Sequence, residues 1–207
     1  MSKTAVVFLA EGTEEMEFSI TYDVLVRGGV KARSIYVPAE GAPASPPNGM
    51  ITASRGVKLG VDMTLAELEK EGLSYVDALV VPGGVGGAQT ISKNPIVLRL
   101  LQEAYEQGKI IGMICAGSLA ALEAQIGLQG TITSHPSIKD KLSSCMCVPL
   151  TTAFQYQETP VAVAGPLVTS RGPGTTFAFA LTLVEKLMGV KVREEITPPM
   201  MLSQEHL

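Results

Sequence analysis

The chain alternates between short apolar runs with the composition of β-strands and longer segments with the spacing of amphipathic helices. The strand-like runs occupy residues 3–10, 30–37, 75–81 and 110–114. The helical segments occupy residues 18–27, 94–107, 118–126 and 175–188. Parallel strands must be joined by long crossover connections, usually helices. The alternation therefore predicts an α/β fold, with a mainly parallel sheet and helices on both of its faces.

Shorter signals complete this outline. Thr64 and Glu67 form a capping-box pattern, which predicts a short helix. Residues 161–170 are typical of a β-hairpin, and residues 51–62 have room for one or two short strands. Residues 38–49 are rich in Pro and Gly, which interrupt regular structure, so we predict a loop there.

The bulk composition limits the class of protein. The 207 residues are 46% hydrophobic and 17% charged, which suits one large domain over residues 1–207 whose strands are covered on both faces. The net charge of −4 offers no basic field for nucleic acid or for an anionic membrane surface. The apolar runs are too short for a membrane span or a signal peptide, so we expect a soluble protein of the cytoplasm. Two of the three cysteines, Cys145 and Cys147, are too close in sequence to suggest a disulfide framework.

Three segments directly follow predicted strands, namely residues 11–17, 83–89 and 115–118. Ligands of parallel α/β sheets bind beyond the carboxyl ends of the strands. These segments should therefore meet at one edge of the sheet, where they form the candidate site.

Cys115 lies between a predicted strand and a predicted helix, and is followed by Ala116 and Gly117. This is the layout of a nucleophile elbow, in which a sharp turn presents a reactive side chain above the sheet. A helix that begins near Ser118 should direct backbone amides at the sulfur and lower the pKa of the thiol. The esterase elbow has a glycine where this chain has Met113, and cysteines in apolar sequence are often packing residues. The local pattern leaves both interpretations of Cys115 open.

The glycine-rich stretch PGGVGG begins at Pro82 and ends at Gly87. It does not match the dinucleotide-binding pattern, because Gln89 stands where that pattern has its last glycine, and it lacks the lysine of a P-loop. Its glycines can turn backbone amides toward Cys115 and supply an oxyanion hole. A tight strand–helix turn without a chemical role is the alternative.

Glu17 lies between the apolar residues Met16 and Phe18, within the acidic stretch AEGTEEMEF. A carboxyl group in an apolar cleft has a raised pKa and can carry protons near neutral pH. The other acids of this stretch are expected to be solvated at the start of a helix.

His135 is the candidate base, because the second histidine, His206, lies in the C-terminal tail. A single histidine is more often structural than catalytic. Together with a cysteine and a glutamate, however, it completes the components of an activated thiol site.

Five stretches occur in the order, and at approximately the spacing, of the DJ-1/PfpI superfamily. They are AEGTEEMEF, VVPGGVGGAQ, IIGMICAGSLAAL, SHPSIKDK and VTSRGPGTTFAFAL. From Val6 to about Met188 the chain resembles this superfamily, and it is most similar to the parkinsonism-associated branch. The resemblance implies a flavodoxin-like three-layer sandwich, a homodimer, and the nucleus as a second location besides the cytoplasm.

The resemblance also implies roles for the three reactive side chains. Cys115 corresponds to the reactive cysteine, strained at its elbow. Glu17 corresponds to the acid whose protonated carboxyl contacts the sulfur, and His135 corresponds to the histidine of the active site.

The remaining residues implied by the resemblance bind the substrate. The backbone amides of Gly84 and Ala116 match the donors of an oxyanion hole. Arg27 and Arg55 match arginines near the pocket and the dimer interface, where they would bind an anionic group.

The activity implied is that of a glutathione-independent glyoxalase, a lyase of the glyoxalase III type that needs no cofactor and no metal ion. Such an enzyme converts small 2-oxoaldehydes, methylglyoxal to lactate and glyoxal to glycolate. The alternative is an oxidative-stress sensor or chaperone in which Cys115 oxidises to the sulfinate, with deglycase-like or incidental activity. A cysteine peptidase is disfavoured because Ala116 follows Cys115 where the protease-like branch has histidine. We predict no zinc site, because Cys145 and Cys147 have no structural zinc spacing with His135.

Overall fold

The computed structural model describes residues 2–143 and 154–203. Cys145, Cys147 and His206 lie outside these ranges. The strands are β1 (Thr4–Leu9), β2 (Lys31–Tyr36), β3 (Met50–Thr52), β4 (Lys58–Gly60), β5 (Met63–Thr64), β6 (Ala78–Val81), β7 (Ile110–Ile114), β8 (Thr131–Ile132), β9 (Gln155–Tyr156), β10 (Val161–Ala164) and β11 (Leu167–Ser170). The helices are α1 (Glu15–Arg27), α2 (Leu65–Glu71), α3 (Val85–Lys93), α4 (Pro95–Glu106), α5 (Leu119–Glu123), α6 (Lys139–Ser143), α7 (Thr176–Met188) and α8 (Val190–Ile196).

A seven-stranded sheet organises the molecule, with the strand order β10-β11-β7-β6-β1-β2-β5. All neighbouring pairs are parallel except β10 and β11, which form the predicted antiparallel hairpin. The central strands β2, β1, β6, β7 and β11 have the order 2-1-3-4-5 in chain sequence, which is the flavodoxin-like order. In such sheets the ligand crevice lies at the carboxyl ends of the strands on either side of the order reversal, here β1 and β6.

Two hydrophobic layers cover the sheet, as the α/β prediction requires. In β1, the side chains of Val6 and Phe8 point to the layer formed by α2 to α6, and those of Val7 and Leu9 point to the layer formed by α1, α7 and α8. All four side chains are fully buried. A strand with both faces covered has the continuous apolar sequence that marked these runs as strands.

Most predicted elements are confirmed, with shifts at their ends. The capping box of Thr64 and Glu67 forms in both directions at the start of α2. The short strands β3 and β4 occupy the predicted segment 51–62, and the segment 38–49 is a loop with one turn of 3₁₀ helix. Helix α1 begins at Glu15 rather than at residue 18, because the side chain of Glu14 accepts a hydrogen bond from the Glu17 amide at 2.8 Å and caps the helix.

Two helices near the glycine-rich segments differ from the prediction. The segment 118–126 contains only the short helix α5, because Cys115–Ser118 forms a 3₁₀ turn before it. Helix α3 was not predicted, because its first turn contains Gly86 and Gly87, which are poor helix formers. Tertiary packing favours the helix nevertheless: a methyl group on Gly87 would lie 2.6 Å from the Cα of Thr13, so glycine is what permits this close approach.

Within the described ranges, no helix combines the length and apolar character that crossing a bilayer requires.

Candidate active site

Cys115 is the first residue after β7 and begins the 3₁₀ turn Cys115–Ser118. Its backbone has φ of +60°, in the left-handed region that residues other than glycine rarely adopt. Such a conformation costs about 1–3 kcal/mol and persists only where the surrounding structure imposes it. The chain therefore turns sharply at Cys115 and presents its partly exposed thiol at the carboxyl edge of the sheet.

Gly117 explains why the turn keeps this shape. A methyl group on Gly117 would lie 2.5 Å from the carbonyl oxygen of Val81 and 2.6 Å from that of Pro82. The turn after β7 thus packs directly against the end of β6, which leaves no room for a side chain at residue 117.

Glu17 approaches the same point from the first turn of α1. Its side chain is fully buried, and Oε2 accepts a hydrogen bond of 2.6 Å from the Gly83 amide. A methyl group on Gly83 would lie 2.6 Å from both the Cβ of Cys115 and Oε2 of Glu17, and 3.0 Å from Sγ. Gly83 therefore packs against both the thiol and the carboxyl, which hydrogen bond to each other, and its amide fixes the orientation of the carboxyl.

Burial raises the pKa of Glu17 to about 7, although the Gly83 amide and the Cys115 thiol oppose the shift. A substantial fraction of this carboxyl is therefore protonated at neutral pH. The expectation that Glu17 has a raised pKa in an apolar cleft is confirmed.

The prediction that Cys115 has a lowered pKa is wrong. Burial raises the pKa of the Cys115 thiol to about 12, and repulsion by the Glu17 carboxylate contributes in the same direction. The backbone amides of Ala116 and Gly84 hydrogen bond to the sulfur and oppose the shift, but they do not outweigh it. The amides act as predicted, but burial of the thiol, together with the charge of a carboxyl that is distant in sequence, outweighs them.

The same amides are the candidate oxyanion hole. Gly84 precedes α3, and Ala116 follows the nucleophile directly, so their N–H groups come from the ends of two adjacent strands, β6 and β7. Both point at the Cys115 sulfur. An oxygen on a carbon bonded to that sulfur would be within reach of the same donors.

His135 lies beside the elbow and has an exposed side chain. Its backbone N–H donates to the Cys115 carbonyl at 3.4 Å. Its ring Nδ1 accepts a hydrogen bond of 3.2 Å from the Ser137 amide and is 2.8 Å from the Ser137 hydroxyl. Because Nδ1 accepts, the neutral ring carries its hydrogen on Nε2 and presents a donor rather than a lone pair to the site.

The two arginines occupy different positions relative to this site. Arg27 is in the last turn of α1, ten residues after Glu17, or about 15 Å along the helix axis. It is exposed and forms an ion pair of 2.5 Å with Asp23, so the structure does not bring it to the thiol of its own chain. Arg55 lies in the turn between β3 and β4, where its backbone amide donates to Glu15 at 2.7 Å. The β3–β4 turn therefore adjoins the start of α1. The guanidinium of Arg55 is exposed.

Sequence reasoning missed two residues of the site. The Gly83 amide holds Glu17, and Gly172 adjoins both Glu17 and His135. Gly172 belongs to VTSRGPGTTFAFAL, one of the five stretches that carried the resemblance, so that stretch was the available signal. In the described ranges, no group of three His, Cys, Asp or Glu side chains has the geometry to hold a metal ion.

Comparison with known proteins matches the chain to the DJ-1/PfpI family over residues 3–186. The chain belongs to this family. It is 38% identical over 200 residues to the Parkinson disease protein 7 homolog of Danio rerio, covering 97% of both proteins. It is 32% identical over 185 residues to the glutathione-independent glyoxalase DJ-1 of Schizosaccharomyces pombe, covering 87% of this chain and 89% of that protein.

A solved structure of the family has the same fold. The crystal structure of Drosophila melanogaster DJ-1beta superposes with a TM-score of 0.82 at 32% identity, covering 98% of this chain and 100% of that one. The flavodoxin-like α/β sandwich implied by the sequence resemblance is confirmed.

Proposed function

We propose that this protein is a glutathione-independent glyoxalase that converts methylglyoxal to lactate, and glyoxal to glycolate, without a cofactor. The observation that carries the proposal is the buried Glu17 carboxyl, whose pKa is about 7, beside a cysteine that faces two backbone amides. The name of the Schizosaccharomyces pombe relative supports the same activity.

The first step forms a hemithioacetal. The Cys115 thiol gives its proton to the Glu17 carboxylate, and the sulfur adds to the aldehyde carbon, C1, of methylglyoxal. The π electrons of the carbonyl move to its oxygen, where the amides of Gly84 and Ala116 stabilise the negative charge. Glu17 then returns the proton to this oxygen, which leaves a neutral hemithioacetal and an ionised carboxyl.

The second step moves hydrogen from C1 to the ketone carbon, C2. The Glu17 carboxylate removes the proton on C1, and the electron pair forms a C1–C2 double bond while the C2 oxygen becomes negative. The Nε2–H of His135 is suited to donate a hydrogen bond to this oxygen, because Nδ1 is already an acceptor. Glu17 returns its proton to C2, the hydroxyl proton of C1 passes to the C2 oxygen, and the product is a lactoyl thioester.

Hydrolysis completes the cycle. Water adds to the thioester carbonyl, whose oxygen is stabilised by the same two amides. The C–S bond then breaks, and the sulfur leaves with a proton from the water. Lactic acid and the free Cys115 thiol result, and the acid releases a proton to become lactate, so no oxidant, reductant or cofactor is consumed.

The test is lactate production from methylglyoxal by the purified protein in the absence of glutathione. We expect lactate from the wild type and only background formation from Cys115→Ala, with circular dichroism to establish that the variant is folded. A wild type that forms no lactate, or a Cys115→Ala variant that forms as much as the wild type, would rule out the proposal.

A second candidate function is oxidant sensing, which the partial exposure of Cys115 favours. Hydrogen peroxide would transfer one oxygen to the thiol to give a sulfenic acid and water, and a second equivalent would give the sulfinic acid. The amides of Gly84 and Ala116 that face the sulfur are suited to bind the sulfinate oxygens.

Peptide mass spectrometry after limited peroxide treatment tests this function. Oxygen should be added at Cys115 before Cys145 or Cys147. Equal oxidation of the three cysteines would count against a sensor built on Cys115, whatever the outcome of the lactate assay.

A further inference from the structure

Gly172 lies beside the site, two residues after the end of β11. It is buried, and its φ of 167° is an extended conformation that any residue adopts. A methyl group on Gly172 would lie 3.9 Å from Cδ2 of His135 and 4.0 Å from Oε1 of Glu17. Apart from the two chain neighbours of Gly172, these are the only heavy atoms of the described residues within 4 Å of that point. Gly172 thus adjoins a methyl-sized space between Glu17 and His135.

Hydrogen bonds hold Gly172 in this position. Its N–H donates to Oγ1 of Thr175 at 3.1 Å, and its carbonyl accepts from the Thr175 amide at 2.9 Å. The Thr176 hydroxyl donates to the same carbonyl at 3.3 Å. Because both the N–H and the carbonyl of Gly172 are hydrogen bonded, its backbone is fixed. A side chain added at Gly172 would therefore stay directed at the site.

Glu17 provides a second, independent observation. Its Oε2 is bound by the Gly83 amide, whereas Oε1 is fully buried and has no hydrogen-bond partner among the described residues. Buried polar atoms without partners are costly and uncommon in folded proteins. The unpartnered oxygen is the one nearer Gly172, so the carboxyl directs its remaining hydrogen-bonding capacity toward this space.

We propose that Gly172 determines specificity by leaving room for the substituent on C2 of the 2-oxoaldehyde, next to Glu17 and His135. The inference rests on the proposed glyoxalase activity and adds a prediction about its substrates. Methylglyoxal carries a methyl group on C2, whereas glyoxal carries hydrogen. Filling the space should therefore penalise methylglyoxal and largely spare glyoxal.

The test is Gly172→Ala. The added methyl group makes only ordinary van der Waals contacts in an allowed backbone conformation, so we expect a folded variant. One methyl or methylene group in a pocket is worth about 10–200-fold in discrimination, so the ratio of kcat/KM for methylglyoxal to that for glyoxal should fall at least about tenfold. The loss should appear mainly as a raised KM for methylglyoxal, while the rate of Cys115 alkylation by iodoacetamide stays unchanged.

Gly174→Ala is the matched control. Gly174 is in the same turn, is exposed, and has no atom within 4 Å of an added methyl group. This variant should keep the wild-type ratio of the two substrates.

The outcomes separate this inference from the proposed function. If the wild type forms lactate and Gly172→Ala keeps the wild-type ratio, the role of Gly172 is overturned and the glyoxalase proposal stands. An equal loss for both substrates, with slower alkylation, would likewise overturn it, because it would indicate damage to the thiol. No product from the wild type with either substrate would overturn both proposals.

Discussion

Glu17 and Cys115 lie in a pocket where even one negative charge is poorly solvated. Burial raises the pKa of both groups, and the charge of the Glu17 carboxylate raises the pKa of the Cys115 thiol further. The two groups therefore titrate as a coupled pair. A thiolate forms most readily when Glu17 holds the proton, so a single proton controls both the nucleophile and the proton carrier.

Glu17→Gln separates these two roles. The amide keeps a polar group beside the sulfur but removes the charge that raises the Cys115 pKa, so iodoacetamide should alkylate Cys115 faster near neutral pH. Turnover of methylglyoxal should fall by about 10²-fold or more, the usual contribution of a positioned acid–base group. Full turnover by this variant would show that Glu17 is not the proton carrier. Glu40→Gln, an exposed change, serves as the control.

The raised pKa of Glu17 also predicts how stability depends on pH. The ordinary pKa of a glutamate is 4.5, and that of Glu17 in the folded protein is about 7. Between these two pH values the folded state binds more protons than the unfolded state. The free energy of unfolding should therefore fall as pH rises through this window and level off above it. A shift of this size corresponds to roughly 3 kcal/mol.

Urea denaturation of the wild type and Glu17→Gln from pH 4.5 to 8 measures this contribution as a difference. The wild type should lose stability relative to the variant as pH rises. Parallel curves would contradict the pKa of Glu17 inferred from its burial.

At the scale of elements, the site depends on how the loop after each strand packs on its neighbour. The turn after β7 packs on the carbonyl groups at the end of β6 through Gly117. The loop after β1 hydrogen bonds to the end of β6, since the Glu14 amide donates to the Gly83 carbonyl at 3.0 Å. These contacts explain why Glu17 on α1 and Cys115 after β7 lie next to each other beside Gly83.

Gly117→Ala should therefore disturb both fold and site. The added methyl group would meet backbone oxygens rather than a flexible side chain, and overpacking of this kind typically costs about 1–3 kcal/mol. We expect a lower free energy of unfolding and altered alkylation of Cys115. Gly60→Ala in β4, where a methyl group meets nothing within 4 Å, should leave both nearly unchanged. Equal stability of the two variants would contradict the packing of the elbow.

At the scale of the whole molecule, α1 and the adjoining β3–β4 hairpin carry several large apolar side chains that are about half exposed. Met16 and Val26 lie on α1, and Met50 and Val57 lie on or beside the β3–β4 hairpin. The hairpin adjoins α1, because the Ser54 hydroxyl donates to Glu15 at 2.7 Å. Large apolar side chains exposed on neighbouring elements mark candidate interaction surfaces. We propose that a second copy of the chain covers this surface, which also carries Arg27 and Arg55.

Light scattering coupled to size-exclusion chromatography checks this proposal. The wild type should have twice the monomer mass of 21.8 kDa. Met16→Glu should shift the equilibrium toward monomer, whereas Val190→Glu, at an exposed apolar residue on α8, should not. A monomeric wild type at micromolar concentration would contradict the homodimer.

Local sequence determined much of the architecture of this protein. Continuous apolar runs determined the central strands, because a strand covered on both faces has no polar side. Thr64 with Glu67 and Asn94 with Pro95 determined helix starts, because capping depends on a few adjacent residues. The pattern failed at α3, where glycines that favour a turn are retained in a helix by contact with a distant loop.

The sequence also supplied the reactive groups of the site, and the tertiary structure decided how they behave. Cys115 could be recognised at the end of a strand, but the local pattern predicted the wrong direction for its pKa. That direction depends on burial and on the charge of Glu17, 98 positions earlier in the chain. The position of Gly172 opposite Glu17 and His135 likewise exists only once β11 and β7 are paired. Electrostatic interactions and steric limits depend on distances through space, which the order of residues alone does not fix.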